Sequence, residues 1–260
     1  MELAGVTDRH NRLNPAIWVG DKLDQAVKQR LLGVADAFTV WAKSPMRRLD
    51  VVLTGSSANY NYAAGFSDVD LHLVYKFNSL PSPTERSALK DALSAKQAVW
   101  NLEHRISIRG LPVEIYVQAS DEPHYSTGVY SVENNLWLAR PTMPPAVDAT
   151  AIDRKVSSLR AQIGQAIASG DYAKMDAVKQ KVKKIRQAGL DASGELSLDN
   201  LAFKVLRRTD EIATLLSAMR HAQDSELSLG AGHCHQDDHG DFGIEVLSGI
   251  KSAVAELTAE

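Results

Sequence analysis

The stretch LDVVLTGSSANYNYAAGFSDVDLHLV, residues 49–74, decides the fold. Leu49, Val51, Val52 and Leu53 form a short apolar run closed by Gly55, too brief for an ordinary helix, and they read as a buried strand. SSANYNYAAGFS is small, polar and glycine-containing, so it reads as a loop with a turn or two of helix starting at Ser56 or Ser57. DVDLHLVYKF has a period of two: Asp68, Asp70 and His72 point one way, Val69, Leu71 and Leu73 the other. Two carboxylates on one strand face repel each other unless a cation lies between them. Mg²⁺ suits that position, because it takes oxygen ligands from a few carboxylates together with substrate phosphates. The turn at Gly55, Ser56 and Ser57 can bring backbone N–H groups and a hydroxyl to phosphate oxygens.

Outward from this stretch the chain alternates. Leu23, Val27, Leu31, Ala35 and Phe38 recur at helical spacing within residues 21–43, and Pro45 ends the run. A second helical pattern begins at Pro83 and Thr84, and Ile106 and Ile108 lead through Arg109 and Gly110 into the alternating strand LPVEIYVQ. On that strand Glu114, Tyr116 and Gln118 oppose Val113, Ile115 and Val117, so Glu114 becomes a third carboxylate of the site if the two strands are neighbours. The rhythm predicts an α+β protein with a small mixed sheet. Residues 124–147 are rich in turn formers, Pro141, Pro144 and Pro145 read as a hinge, and Tyr130 and Trp137 are expected at a domain junction.

Beyond the hinge the pattern is helical. Ile152, Val156, Leu159, Ile163 and Ile167 form one stripe; Met175, Val178, Val182 and Ile185 form a second; GLDASGELS reads as a loop; and a third helix with a break follows through Met219. The expected division is an α/β domain over 1–144, a helical domain over 145–222 and an acidic, partly helical segment over 223–260, with a cleft between the first two. Residues 154–208 carry 12 Lys or Arg against 5 Asp or Glu, and residues 209–260 carry 2 against 10. The cations are a solvated helix surface or a positive wall facing an anion; on the second reading Lys179, Lys183, Arg186, Lys204 and Arg207 are the candidates.

The chain of 260 residues has a formal charge of −3, which disfavours coating nucleic acid by bulk positive charge. The single cysteine, Cys234, excludes an internal disulfide framework and suits a reducing compartment. No basic start followed by an apolar run and no 18-residue apolar stretch occurs, so a cytoplasmic protein with no membrane partner is expected. His233, Cys234, His235, Asp237, Asp238 and His239 crowd seven residues, which is not a structural zinc spacing, and no metal role is expected of them.

The string from Val51 through Val74 resembles the signature of the DNA polymerase beta-like nucleotidyltransferase superfamily, in which Gly-Ser is followed after about ten residues by Asp-x-Asp and later by a third acid. The matching positions are Gly55, Ser56, Asp68, Asp70 and Glu114, with Glu where Asp is more usual. GELSLDNLAFKVLRR, residues 194–208, is similar to a segment of phage and bacterial members. The resemblance implies a nucleotidyltransferase core followed by a helical domain, with Mg²⁺ or Mn²⁺ held by Asp68, Asp70 and Glu114 and phosphates at Gly55, Ser56 and Ser57. It implies transfer of a nucleoside monophosphate from an NTP, ATP foremost, to a hydroxyl, with pyrophosphate released. The acceptor is open between an RNA end and a small-molecule or protein hydroxyl, and oligomeric state is open too. A cyclic dinucleotide or oligonucleotide synthase is an alternative. So is a non-catalytic nucleotide-binding or antitoxin-like interaction protein.

Overall fold

The computed structural model describes residues 9–63, 67–143 and 146–228. The chain divides into two compact units, one ending at Pro145 and the other beginning at Ala146.

The first unit opens with a two-strand hairpin, β1 (Trp18–Val19) and β2 (Lys22–Leu23), followed by α1 (Gln25–Ala42). The helix starts later than the periodicity predicts because Asp24 caps it. Its carboxylate accepts from the backbone N–H groups of Ala26 and Val27, leaving Asp21 and Leu23 in the hairpin. Lys43 ends the helix in the left-handed conformation. The chain continues through β3 (Arg48–Thr54), a 3₁₀ turn at Ser56–Ala58, β4 (Val69–Tyr75), α2 (Pro83–Glu103), β5 (Ser107–Ile108) and β6 (Leu111–Ala119). Two strands follow that the sequence pattern does not suggest: β7 (Val129–Ser131) and β8 (Leu136–Ala139). The sheet is mixed, with six strands in the order β5-β6-β4-β3-β7-β8; β4 and β6 run parallel and the other neighbours antiparallel.

One face of the sheet is apolar. Val51 and Leu53 of β3, Leu71 and Leu73 of β4 and Ile115 of β6 join Val27, Leu31, Ala35 and Phe38 of α1 and Leu93 and Trp100 of α2 in one core. The parallel step from β4 to β6 requires a crossover, which α2 supplies. Helix α2 also finishes β6. The Asn101 side chain donates to the Ile115 carbonyl at 2.9 Å and accepts from the Ile115 N–H at 3.0 Å, and the Val117 N–H donates to Gln97 at 2.7 Å. These amides serve in place of a neighbouring strand where β5 is too short to reach. Trp137 packs within this unit, beside Trp18 and Tyr130. It stacks on Trp18 with ring centres 4.9 Å apart, meets Tyr130 edge-on at 4.9 Å, and its indole N–H donates to the Asp21 carbonyl at 2.8 Å.

The second unit contains α3 (Ala149–Ala168), α4 (Tyr172–Ser193), α5 (Leu198–Arg208) and α6 (Glu211–Leu227), each packed against the other three. Their buried residues include Ile152, Val156, Leu159 and Ile163 of α3, Val182 of α4, Leu201 and Phe203 of α5, and Ile212 and Met219 of α6. The expected loop at residues 189–193 is helical instead, and α4 ends in a 3₁₀ turn at Gly194–Leu196. Gly189 is needed there: a Cβ on it would come within 2.7 Å of the Ser197 hydroxyl. The break expected in the third helix lies at Thr209 and Asp210, with Asp210 at φ +62°. Helix α6 runs to Leu227, past residue 222, and the segment His233–His239 lies outside the described residues. No helix of the described residues is long and apolar enough to cross a membrane.

Candidate metal centre

The sheet face opposite α1 and α2 carries Asp70 and His72 of β4 and Glu114, Tyr116 and Gln118 of β6. Parallel register pairs Asp70 with Glu114 and His72 with Tyr116, so like positions stand side by side. Asp68 immediately precedes β4. One ligand atom from each of Asp68, Asp70 and Glu114 lies within 4.8 Å of the other two, and all three residues are half-buried. The three acids singled out from the sequence are thus brought together, with the two strands adjacent.

Gly55 completes one side. Thr54 pairs with Asp70, and Gly55 follows at φ +69° and ψ −163°. A Cβ at that position would fall 1.8 Å from Asp70 Oδ2 and 2.9 Å from its Cγ. Only a residue without a side chain lets the backbone pass this close to the carboxylate.

The loop between the two strands is tied down at both ends. The Ser57 hydroxyl donates to the Asp68 carbonyl, and the Trp18 indole donates to the Ser57 carbonyl at 2.7 Å. Ser57 is wholly buried and its hydroxyl braces Asp68, so it serves the loop from within rather than from the surface a phosphate would reach. The Ser56 hydroxyl lies 2.9 Å from that of Ser67, which in turn accepts from the Ala63 N–H at 2.8 Å. Asn59 donates to the Gly55 carbonyl at 2.8 Å and to the Ser126 hydroxyl at 2.7 Å, and accepts from the Thr127 hydroxyl at 2.7 Å. Gly128 closes the clamp, since a Cβ there would sit 2.0 Å from the Ala58 carbonyl oxygen. The sequence reading missed Asn59, Ser126, Thr127 and Gly128. The only hint was the turn-forming texture around Ser126.

Past the acids the face continues as a packed polar cluster. His72 lies against Tyr116 with ring centres 5.0 Å apart and against His124 at 5.9 Å, and its Nδ1 is 2.8 Å from Gln118 Oε1. Desolvation of the ring, followed by the neighbouring His124, lowers the His72 pKa to about 4, so the ring is neutral near pH 7. Desolvation lowers His124 as well. His72 therefore has a structural place beside Gln118 and Tyr116.

Three of the cations marked in the helical unit have partners inside that unit. Lys179 pairs with Asp176 at 2.9 Å, and Lys204 with Glu195 at 3.7 Å. Arg186 bonds Asn200 at 3.2 Å and lies 5.0 Å from the Phe203 ring centre. Lys183 and Arg207 also have interactions.

The donor set fits a hard divalent cation. It offers only carboxylate oxygens, convergent and half-buried, and their mutual repulsion is what a bound cation would relieve. A softer metal would call for His or Cys, and His72 is engaged with Gln118. Compared with protein-family models, with curated proteins and with solved structures, the chain matches none.

Proposed function

We propose that the chain is a Mg²⁺-dependent nucleotidyltransferase that moves a nucleoside monophosphate from an NTP to a hydroxyl acceptor. One observation carries the reading: Asp68, Asp70 and Glu114 converge within 4.8 Å while Gly55 runs against the Asp70 carboxylate. Convergent acids alone suit many cations. A positive-φ glycine turn beside them adds backbone N–H groups of the kind that bind phosphate oxygens.

In this reading Asp68, Asp70 and Glu114 hold the cation, and the backbone at Gly55 and Ser56 receives the triphosphate. Bound Mg²⁺ would neutralise the phosphates and lower the pKa of the acceptor hydroxyl. The acceptor oxygen forms a bond to the α-phosphorus as the bond to the β-phosphate oxygen breaks, pyrophosphate leaves, and the hydroxyl proton passes to Glu114 or to water. The Ser57 and Asn59 hydrogen bonds tie the turn at Gly55 to Asp68 and to Ser126. They hold the acids at their spacing before substrate arrives, which is where a positioned site gains its rate.

The test supplies each of the four NTPs, labelled at the α-phosphate, with Mg²⁺ or Mn²⁺ and with three acceptor types: an RNA pool, small hydroxyl compounds and the protein itself. Label transfer supports the proposal and identifies the acceptor, and a labelled product formed with no acceptor added identifies a cyclic or oligonucleotide synthase. Tight NTP binding with the nucleotide unchanged under every condition would favour a non-catalytic binding protein.

A further inference from the structure

The three acids are not held alike. Asp68 is anchored through its own carbonyl by Ser57, and Asp70 lies against Gly55, whereas Glu114 projects from mid-strand on a longer side chain. Its tether is Tyr116, two residues on and on the same face, whose hydroxyl donates to Glu114 Oε2 at 2.8 Å. Tyr116 is itself held. His72 lies in register with it and its ring packs nearly parallel, tilted by 24°. Gln118 Oε1 can only accept, so His72 Nδ1 carries the proton between them. The Gln118 amide donates onward to the Glu122 carbonyl at 3.3 Å, and Gln118 is buried. A chain of contacts thus runs from Glu122 through Gln118, His72 and Tyr116 to Glu114.

We infer that Tyr116 is a positioning residue of the centre: its hydroxyl occupies one oxygen of Glu114 and aims the carboxylate at Asp68 and Asp70. The inference rests on the proposed metal centre and deepens it. A carboxylate has lone pairs for both a phenol and a cation, so the tether leaves Glu114 able to ligate. Partners of this kind around a metal ligand fix its orientation, and losing one lowers metal affinity by about 10- to 100-fold.

The experiment titrates Mn²⁺ alone into the full chain and reads free ion by electron paramagnetic resonance, with circular dichroism confirming the fold of each variant. Tyr116→Phe keeps the ring against His72 and removes only the hydroxyl; Mn²⁺ affinity is expected to fall about 10-fold. Glu114→Asp shortens the arm out of the phenol's reach, so adding Tyr116→Phe to it should change affinity by less than about 2-fold. His72→Ala leaves the phenol but withdraws the packing beneath it, and a smaller loss is expected. Wild-type affinity in Tyr116→Phe, or an equal loss in both backgrounds, would overturn the positioning role while leaving the metal centre standing. A wild-type chain that binds no Mn²⁺ would overturn both.

Discussion

Asp70 fills the space that a side chain on Gly55 would need: a methyl group on the glycine would lie 1.8 Å from the aspartate's Oδ2. The positive φ of Gly55 places its backbone there, and the pairing of Thr54 with Asp70 fixes the register that brings them together. Gly55→Ala must therefore displace either the loop or the carboxylate. Strain at such a position costs about 1–3 kcal/mol, and a lower unfolding midpoint in urea should report it. If the proposed activity holds, nucleotidyl transfer should fall further than stability does, because Asp70 is one of the three acids proposed to hold the cation.

Asp70→Asn keeps the shape and removes the charge. With the substrate pair known, its turnover is expected to drop by about 100-fold or more while the circular dichroism spectrum stays native. Full activity in this variant would reject the assignment of Asp70.

Asp68→Asn separates repulsion from binding. Without divalent cations the variant should unfold at a slightly higher temperature than the native chain, because one of three convergent charges is gone. Adding Mg²⁺ should raise the native midpoint and leave the variant's nearly unchanged, since only a chain that binds the ion gains from it. Thermal melts with and without Mg²⁺ measure both effects.

Asn101 supports the site from the far side of the sheet. Asn101→Leu leaves the Ile115 N–H and carbonyl without their side-chain partner, next to Glu114 in sequence, and should destabilise the protein by about 2 kcal/mol or more. Denaturant unfolding checks this, and hydrogen exchange should quicken at Ile115 before it does elsewhere in β6.

Asp24 sets an acid limit on α1. The Val27 N–H is the leading cause that holds its carboxyl below the usual carboxylate value, with the Arg109 guanidinium adding to it. A lowered folded-state pKa stabilises the protein above the unfolded value of about 3.8 and ceases to do so as pH falls through the folded value. The difference in melting temperature between the native chain and Asp24→Ala should be constant from pH 7 to about 5 and shrink below about 4.

The centre of the sheet was legible because period two sorts Asp70 and His72 from Leu71 and Leu73, and the same rule put Glu114 and Tyr116 on one face of β6. Strands β7 and β8 were not, because Val129–Ser131 and Leu136–Ala139 are short and set among turn formers, and their pairing depends on partners far along the chain. Gly189 misled because it reads as a breaker, yet it lies inside α4, where Ser197 and Asp199 leave no room for a side chain. The bonds of Asn101 and Gln97 to β6 span 14 and 20 residues, and no local pattern announces them.

Asp68, Asp70 and Glu114 converge closely enough to share one cation. Crystals of the full chain grown with Mn²⁺ and a non-hydrolysable ATP analogue, measured at the manganese absorption edge, test this most directly. An anomalous peak is expected about 2.0–2.2 Å from carboxylate oxygens of these residues, with analogue phosphates on the Gly55 side. A chain that binds the analogue with no manganese at the three acids, or with manganese only elsewhere, would contradict this.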